Sequence, residues 1–216
     1  MLDTHVRVKI CGITRIEDAI AAVRSGADAL GFVFYAGSPR FIHPEDARDI
    51  IRRMPPFVTT VGVFVNEERN RIEAMSRTSG IHSIQLHGSE HPEDCSGFDR
   101  PVFKALRVSG LESLASIQLY ETAGILLDSA VPGTWGGTGT VPDWKCIGDF
   151  LDKDISGIRK RLILAGGLTA ENVKMAVKIV RPWAVDVSSG VEFEPGIKNH
   201  EKMKEFTYAV HCATCA

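Results

Sequence analysis

Three side chains in this sequence could do proton chemistry at the end of an apolar run: Cys11, Asp128 and His87. Val6, Val8 and Ile10 alternate with Arg7, Lys9 and Cys11, so in a period-2 segment Lys9 and Cys11 share a face and the run stops at a thiol. Gly12 lets the chain turn, and Thr14 with Glu17 three residues later has the pattern of a capping box opening a helix. Backbone N–H groups at such a junction favour thiolate and would draw the cysteine from ~8.5 toward neutrality, which makes Cys11 a candidate nucleophile or base. The other reading of Cys11 is a small buried hydrophobe.

Asp128 follows the apolar run Gly124-Ile125-Leu126-Leu127, which leaves a carboxylate at the rim of a partly apolar cavity. That setting suits a general acid, although a turn cap uses the same group. His87, in Gln85-Leu86-His87-Gly88, is suited either to proton transfer or to a local hydrogen bond. Arg40 sits beside an aromatic residue in a turn-rich segment, where its planar fork could clamp a carboxylate or phosphate or simply be solvated.

Ala165-Gly166-Gly167-Leu168-Thr169 and Asp186-Val187-Ser188-Ser189-Gly190-Val191-Glu192 put small residues where helices are expected to start, an arrangement that offers N–H groups to an anion. The segment 129–140 is rich in glycine around Trp135, and Gly137 within it could approach a ligand closely and move over it. No His, Cys, Asp or Glu set has metal-ligand spacing, so neither a metal nor a cofactor is expected.

Positioning these groups requires regular elements, and the apolar pattern supplies them. Strands are predicted near 6–11, 29–34, 59–65, 83–86, 102–108, 123–127, 162–164 and 183–187. Helices are predicted through Ile16, Ala19, Ile20 and Val23, and over 44–54, 67–78, 111–119, 143–151, 170–180 and 198–210, with at most a short helix at 91–95. Strands alternating with helices imply parallel pairing, and eight such units favour an α/β fold of one closed (β/α)8 (TIM) barrel over 1–216. A doubly wound open sheet is the structural alternative, but no Gly-x-Gly-x-x-Gly follows the first strand. In the barrel, function belongs on the loops after the strands, and loops seven and eight are where that fold places phosphate.

The chain has 216 residues, 44% of them hydrophobic and 24% charged, enough for one well-buried core and short for two domains. A formal charge of −2 gives no basic field for nucleic acid or an anionic membrane, so an anionic partner must be captured locally. Met1 to His5 carries no positive start followed by an apolar core, and no apolar run approaches membrane-spanning length, so a cytoplasmic chain is expected. Five cysteines make no obvious disulfide framework, and Cys212 and Cys215 read as frayed free thiols.

Taken together, Lys9-Ile10-Cys11-Gly12-Ile13-Thr14, Ser38-Pro39-Arg40, Gln85-Leu86-His87-Gly88, Leu127-Asp128, Gly136-Gly137-Thr138-Gly139, Ala165-Gly166-Gly167-Leu168 and the segment from Asp186 to Glu192 resemble the phosphoribosylanthranilate isomerases of tryptophan biosynthesis. The resemblance runs from the first strand to the last. It implies a (β/α)8 barrel and an Amadori rearrangement of N-(5'-phosphoribosyl)anthranilate to the corresponding 1-deoxyribulose 5-phosphate, in a monomer or homodimer. By motif, Cys11 would be the general base and Asp128 the general acid. Arg40 would hold the anthranilate carboxylate, and Gly166, Gly167, Asp186, Ser188, Ser189 and Gly190 would contact the phosphorylated substrate.

Two departures stand out. Thr140-Val141-Pro142 precede Asp143-Trp144 where the family often has a basic or amide residue and then an aromatic, and Asn199 stands where it often has aspartate. The nearest rival is another aldose–ketose isomerase on the same fold, such as that of histidine biosynthesis, but that family uses an aspartate on the first strand where this chain has Cys11. A non-catalytic phosphate-binding barrel is the rival of a different class. It would have no need of a poised thiol and a carboxylate together.

Overall fold

A computed structural model of the chain describes residues 5–108, 110–129, 143–153 and 157–214. Gly137, Trp135, Thr140 and Cys215 lie outside the described residues. The expected alternation is present: β1 (Arg7–Cys11), α1 (Ile16–Arg24), β2 (Ala29–Val33), α2 (Pro44–Ile51), β3 (Thr59–Phe64), α3 (Arg69–Ser79), β4 (Ser83–Leu86), β5 (Val102–Val108), α4 (Leu111–Ala115), β6 (Gly124–Ser129), α5 (Trp144–Asp152), β7 (Leu162–Leu164), α6 (Val173–Val180) and β8 (Ala184–Val187). A short 3-10 turn, Pro92–Cys95, replaces a helix between β4 and β5. Strands β1 to β8 pair in parallel in sequence order and close into a barrel, so the open-sheet alternative is excluded.

Closure sets the register that matters. β1 lies between β2 and β8, with Cys11 opposite Gly31 on one side and Lys9 opposite Asp186 on the other. Residues of even number on β1, Val8 and Ile10, face outward into the layer under the helices, where they are fully buried. Inside the barrel, Ala105, Leu126, Ile163, Ala165 and Ala184 pack with Phe103 and Trp183. Above them Cys11, Val33 and Val63 pack with Tyr35.

Local chemistry explains several helix ends. Pro44 opens α2 after an extended His43, and α3 closes on Gly80 at φ 74°, whose N–H reaches the Ser76 carbonyl. Asp143 caps α5 by accepting from the Cys146 N–H at 3.0 Å. α1 differs from expectation: its N-cap is Arg15, with no side-chain cap, and the Thr14 hydroxyl donates instead to the Gly196 carbonyl at 2.5 Å. Thr14 stands one residue too early to cap the helix, and another segment has claimed its hydroxyl.

That segment is the unexpected part of the fold. After β8 the chain forms a two-stranded antiparallel hairpin, β9 (Glu192–Glu194) with β10 (Ile197–Lys198), before α7 (His200–Thr214). Pro195 and Gly196, the latter at φ 85°, make its turn. Asn199 then accepts from the N–H groups of Glu201 and Lys202, both at 3.1 Å, so it opens α7 as an aspartate would.

Candidate active site

The strand ends open into one cavity that Cys11, Arg40, His87, Asp128, Gly166, Gly167, Asp186, Ser188, Ser189 and Gly190 all line. Every described residue singled out from the sequence for substrate chemistry therefore reaches the same place. Val33, Val63 and Tyr35 supply its apolar wall.

Cys11 is the last residue of β1 and is buried. The close fit depends on Gly31: a Cβ there would lie 2.7 Å from the Cys11 sulfur and 3.1 Å from Lys9 Cε. Contrary to the expectation of a lowered value, burial pushes the Cys11 thiol up, aided by the Asp186 carboxylate, while Lys9 and Lys198 pull it down without cancelling the rise. Sequence gave the junction correctly but not its depth.

Asp128 lies within β6, not after it, and is 5% exposed. Its Oδ1 accepts from the Ser129 N–H at 2.8 Å, and its Oδ2 stands 3.2 Å from His87 Nε2, close enough for an ion pair but without the alignment of a hydrogen bond. His87 Nδ1 in turn lies 2.9 Å from Gln85 Nε2. Gly166, at φ 86°, passes so close that a Cβ on it would lie 2.9 Å from Asp128 Oδ1 and 2.6 Å from the Ser129 nitrogen. Its freedom is used by the carboxylate as much as by any anion.

Arg40 has a partner that sequence did not reveal. Its Nε and Nη2 donate to the two oxygens of Glu192 at 2.9 and 2.6 Å, a bidentate pair, and its stem crosses Gly12 where a Cβ would lie 2.6 Å from Arg40 Cδ. Lys198, fully buried, also donates to Glu192 Oε1 at 2.7 Å. Burial opposes charge on Glu192, but Arg40 and Lys198 outweigh it and hold the carboxyl below the usual range. Burial pushes the Lys198 ammonium down, only partly offset by Glu192. The hairpin thus brings a carboxylate and an ammonium to the back of the cavity. The signal for it was slight: the alternation Glu192-Phe193-Glu194 before a Pro-Gly turn.

Loops seven and eight meet edge to edge. A Cβ on Gly190 would lie 1.9 Å from the Leu168 carbonyl oxygen, so only glycine permits the contact. Neither loop opens a long helix directly, as had been expected. Gly166-Gly167 precedes α6 by several residues, with Asn172 Oδ1 accepting the Thr169 N–H at 2.9 Å between them, and Ser188 leads into the hairpin. Ser188 lines the cavity, and its hydroxyl, buried 3.1 Å from where a Cβ on Gly12 would lie, has no hydrogen-bond partner among the described residues. Asp186 holds Lys9 Nζ with both oxygens at 3.0 Å. Cys95, outside the site, is structural: its thiol donates to the His91 carbonyl and burial pushes it up to about 11.

Comparison with known proteins agrees with this geometry. Residues 8–209 match the family described as N-(5'phosphoribosyl)anthranilate (PRA) isomerase. The chain is 51% identical over 208 residues to the N-(5'-phosphoribosyl)anthranilate isomerase of Pseudomonas syringae pv. syringae, covering 95% of this chain and 98% of that one. It is 52% identical over 209 residues to that of Pseudomonas putida KT2440, covering 96% and 98%. The phosphoribosyl anthranilate isomerase of Thermotoga maritima has the same fold at TM-score 0.86 and 45% identity, covering 95% and 98%. A solved complex of such an enzyme with reduced 1-(o-carboxyphenylamino)-1-deoxyribulose 5-phosphate matches at TM-score 0.84 and 45% identity, with the same coverage. With the family match spanning nearly the whole barrel and its cavity, the chain belongs to the N-(5'-phosphoribosyl)anthranilate isomerase family.

Proposed function

We propose that this chain converts N-(5'-phosphoribosyl)anthranilate into 1-(2-carboxyphenylamino)-1-deoxyribulose 5-phosphate with Cys11 as general base and Asp128 as general acid. The observation that carries the assignment is that these two buried groups, delivered by the first and sixth strands, line one cavity. Asp128 gives a proton to the ribose ring oxygen as its bond to C1 breaks, and the anilino nitrogen's lone pair forms the protonated imine. The imine acidifies C2, the Cys11 thiolate takes that proton, and the freed pair makes an enolamine that tautomerises to the ketone. Atoms and electrons balance within the substrate, so no oxidant is needed.

Arg40 gives one edge of its fork to Glu192 and keeps the other for the anthranilate carboxylate. Gly166, Gly167, Ser188, Ser189 and Gly190 are read as the phosphate end, supported by the unpartnered Ser188 hydroxyl, and Asp186 as a substrate contact at the cavity floor. His87, beside Asp128, is read as its neighbour in proton delivery. The test is turnover of freshly made phosphoribosylanthranilate, followed by loss of anthranilate-type fluorescence. The wild-type chain should consume it and Asp128→Asn should not; consumption by both would remove Asp128 from the mechanism.

One Thermotoga maritima structure is of monomers generated from a dimeric relative, and we read this chain as monomer or homodimer. We read its setting as cytoplasmic, a reading supported by a substrate whose phosphate and carboxylate would keep it in the compartment where it is made. Among the described residues, no helix is long and apolar enough to cross a membrane.

A further inference from the structure

The roles assigned so far leave one member of a buried ion pair at the cavity floor, Lys9, without a task. Lys9 and Asp186 face each other across the seam where β1 meets β8, and the ammonium gives both carboxylate oxygens a 3.0 Å hydrogen bond. Both side chains are under a tenth exposed. An ion pair this deep carries a desolvation cost that its mutual attraction need not repay, so stability alone is a weak reason for it. Its place suggests another. Lys9 is two residues before Cys11 on the same strand face, and the bare Cα of Gly31 makes room for Lys9 Cε and the Cys11 sulfur side by side.

We propose that Lys9 is a positioning residue for the reaction: anchored by Asp186 on the same strand face as Cys11, its ammonium stabilises the thiolate that takes the substrate proton. The proposal rests on Cys11 being the base. Other charges face the thiol as well. Lys198, from β10, adds positive charge, and Asp186 itself opposes the thiolate. Farther round the cavity stand Arg40 with Glu192, and His87 with Asp128. Lys9 differs from these in standing two residues before the thiol on the same strand face, and its charge is the strongest of those that favour the thiolate. Burial works against the Lys9 ammonium, but Asp186 and the thiol outweigh it and hold the lysine above its usual range. Asp186 therefore acts on the thiol in two senses: its own charge works against the thiolate, while its grip on Lys9 maintains the cation that favours it.

The test reads the thiol directly, through the rate of Cys11 alkylation by iodoacetamide against pH. In Lys9→Met the alkylation midpoint should move to higher pH by a unit or more, with alkylation and kcat near neutrality both falling at least ~10-fold and KM little changed. Raising the pH should recover both rates. Lys9→Met/Asp186→Asn leaves no lone buried charge, so it guards against loss of fold, checked by thermal unfolding, and should show a smaller upward move, because the Asp186 charge that opposes the thiolate is gone as well. An alkylation profile in a folded variant that superimposes on wild type overturns the proposal. Failure of Cys11 as base would show elsewhere, as full turnover by Cys11→Ser, and would leave the alkylation result standing.

Discussion

Arg40 and Glu192, 152 residues apart, are joined by two charge-assisted hydrogen bonds that fix the plane of the guanidinium before any ligand arrives. An arginine held in this way loses little side-chain freedom when a carboxylate docks on its remaining edge. Arg40→Lys cannot reproduce two parallel bonds, and should raise KM by ~10-fold or more while kcat moves far less. Glu192→Gln should do the same in smaller degree. Steady-state kinetics check both, and an effect confined to kcat would place Arg40 outside substrate binding.

Cys11→Ser should keep the fold and lower kcat by ~10²–10⁴-fold, because an alcohol is a far weaker base in this pH range. For the wild type, burial holds the thiol above its ordinary value. The reactive form is the deprotonated one, so kcat/KM governed by this group should climb as pH rises through neutrality and keep climbing into the ordinary cysteine range. A plateau already reached at pH 6 would show a depressed thiol and contradict the burial argument.

Gly166→Ala should act on the acid. The added methyl would press on Asp128 Oδ1 and the Ser129 nitrogen, in a backbone conformation that alanine adopts only with strain. The expected result is a fall in kcat approaching that of Asp128→Asn. If only the affinity for inorganic phosphate falls, the glycine serves the anion alone.

Asp18 is fully buried and ties α1 to the chain's end, accepting from Arg15, from the Lys198 N–H at 3.1 Å and pairing with His200 at 2.9 Å. Burial works against its charge, but these donors prevail and hold the carboxyl below the usual aspartate range. Its contribution to stability is therefore present above the unfolded-state value and is lost as pH falls through the lower folded one. Asp18→Asn should cost ~1–3 kcal/mol at neutral pH and progressively less in acid. Thermal unfolding of both proteins at neutral pH and near pH 3 measures the difference, and a gap that widens in acid would reverse the assignment.

The parts of this molecule that were legible in sequence are those governed by local pattern. Short apolar runs, alternating in β1 and continuous in β6, marked all eight barrel strands, and each of Cys11, Asp128 and His87 stood at the end of one. Partners from distant segments left no such trace. Nothing near Arg40 announces Glu192, and nothing near Cys11 announces that Lys198 will come within range. The direction of the Cys11 shift was misread because it depends on how deeply the barrel buries the sulfur, which the junction alone does not encode. Gly190 was legible as a small residue in a segment expected to offer N–H groups to an anion, but its closest demand comes from the Leu168 carbonyl.

The Lys9–Asp186 pair also constrains how the molecule comes into being. Its two members are 177 residues apart in the chain, so during synthesis the first strand leaves the ribosome long before its second neighbour exists. Until β8 emerges, β1 is an edge strand whose N–H and C=O groups and whose lysine are open to water or to the wrong partner. The charge on Lys9 makes that wait safer, since a lysine on a bare edge discourages pairing with other chains. A nascent barrel therefore lacks the Lys9–Asp186 pair until it is nearly complete, and premature termination anywhere before β8 yields a chain unable to assemble that end of the cavity.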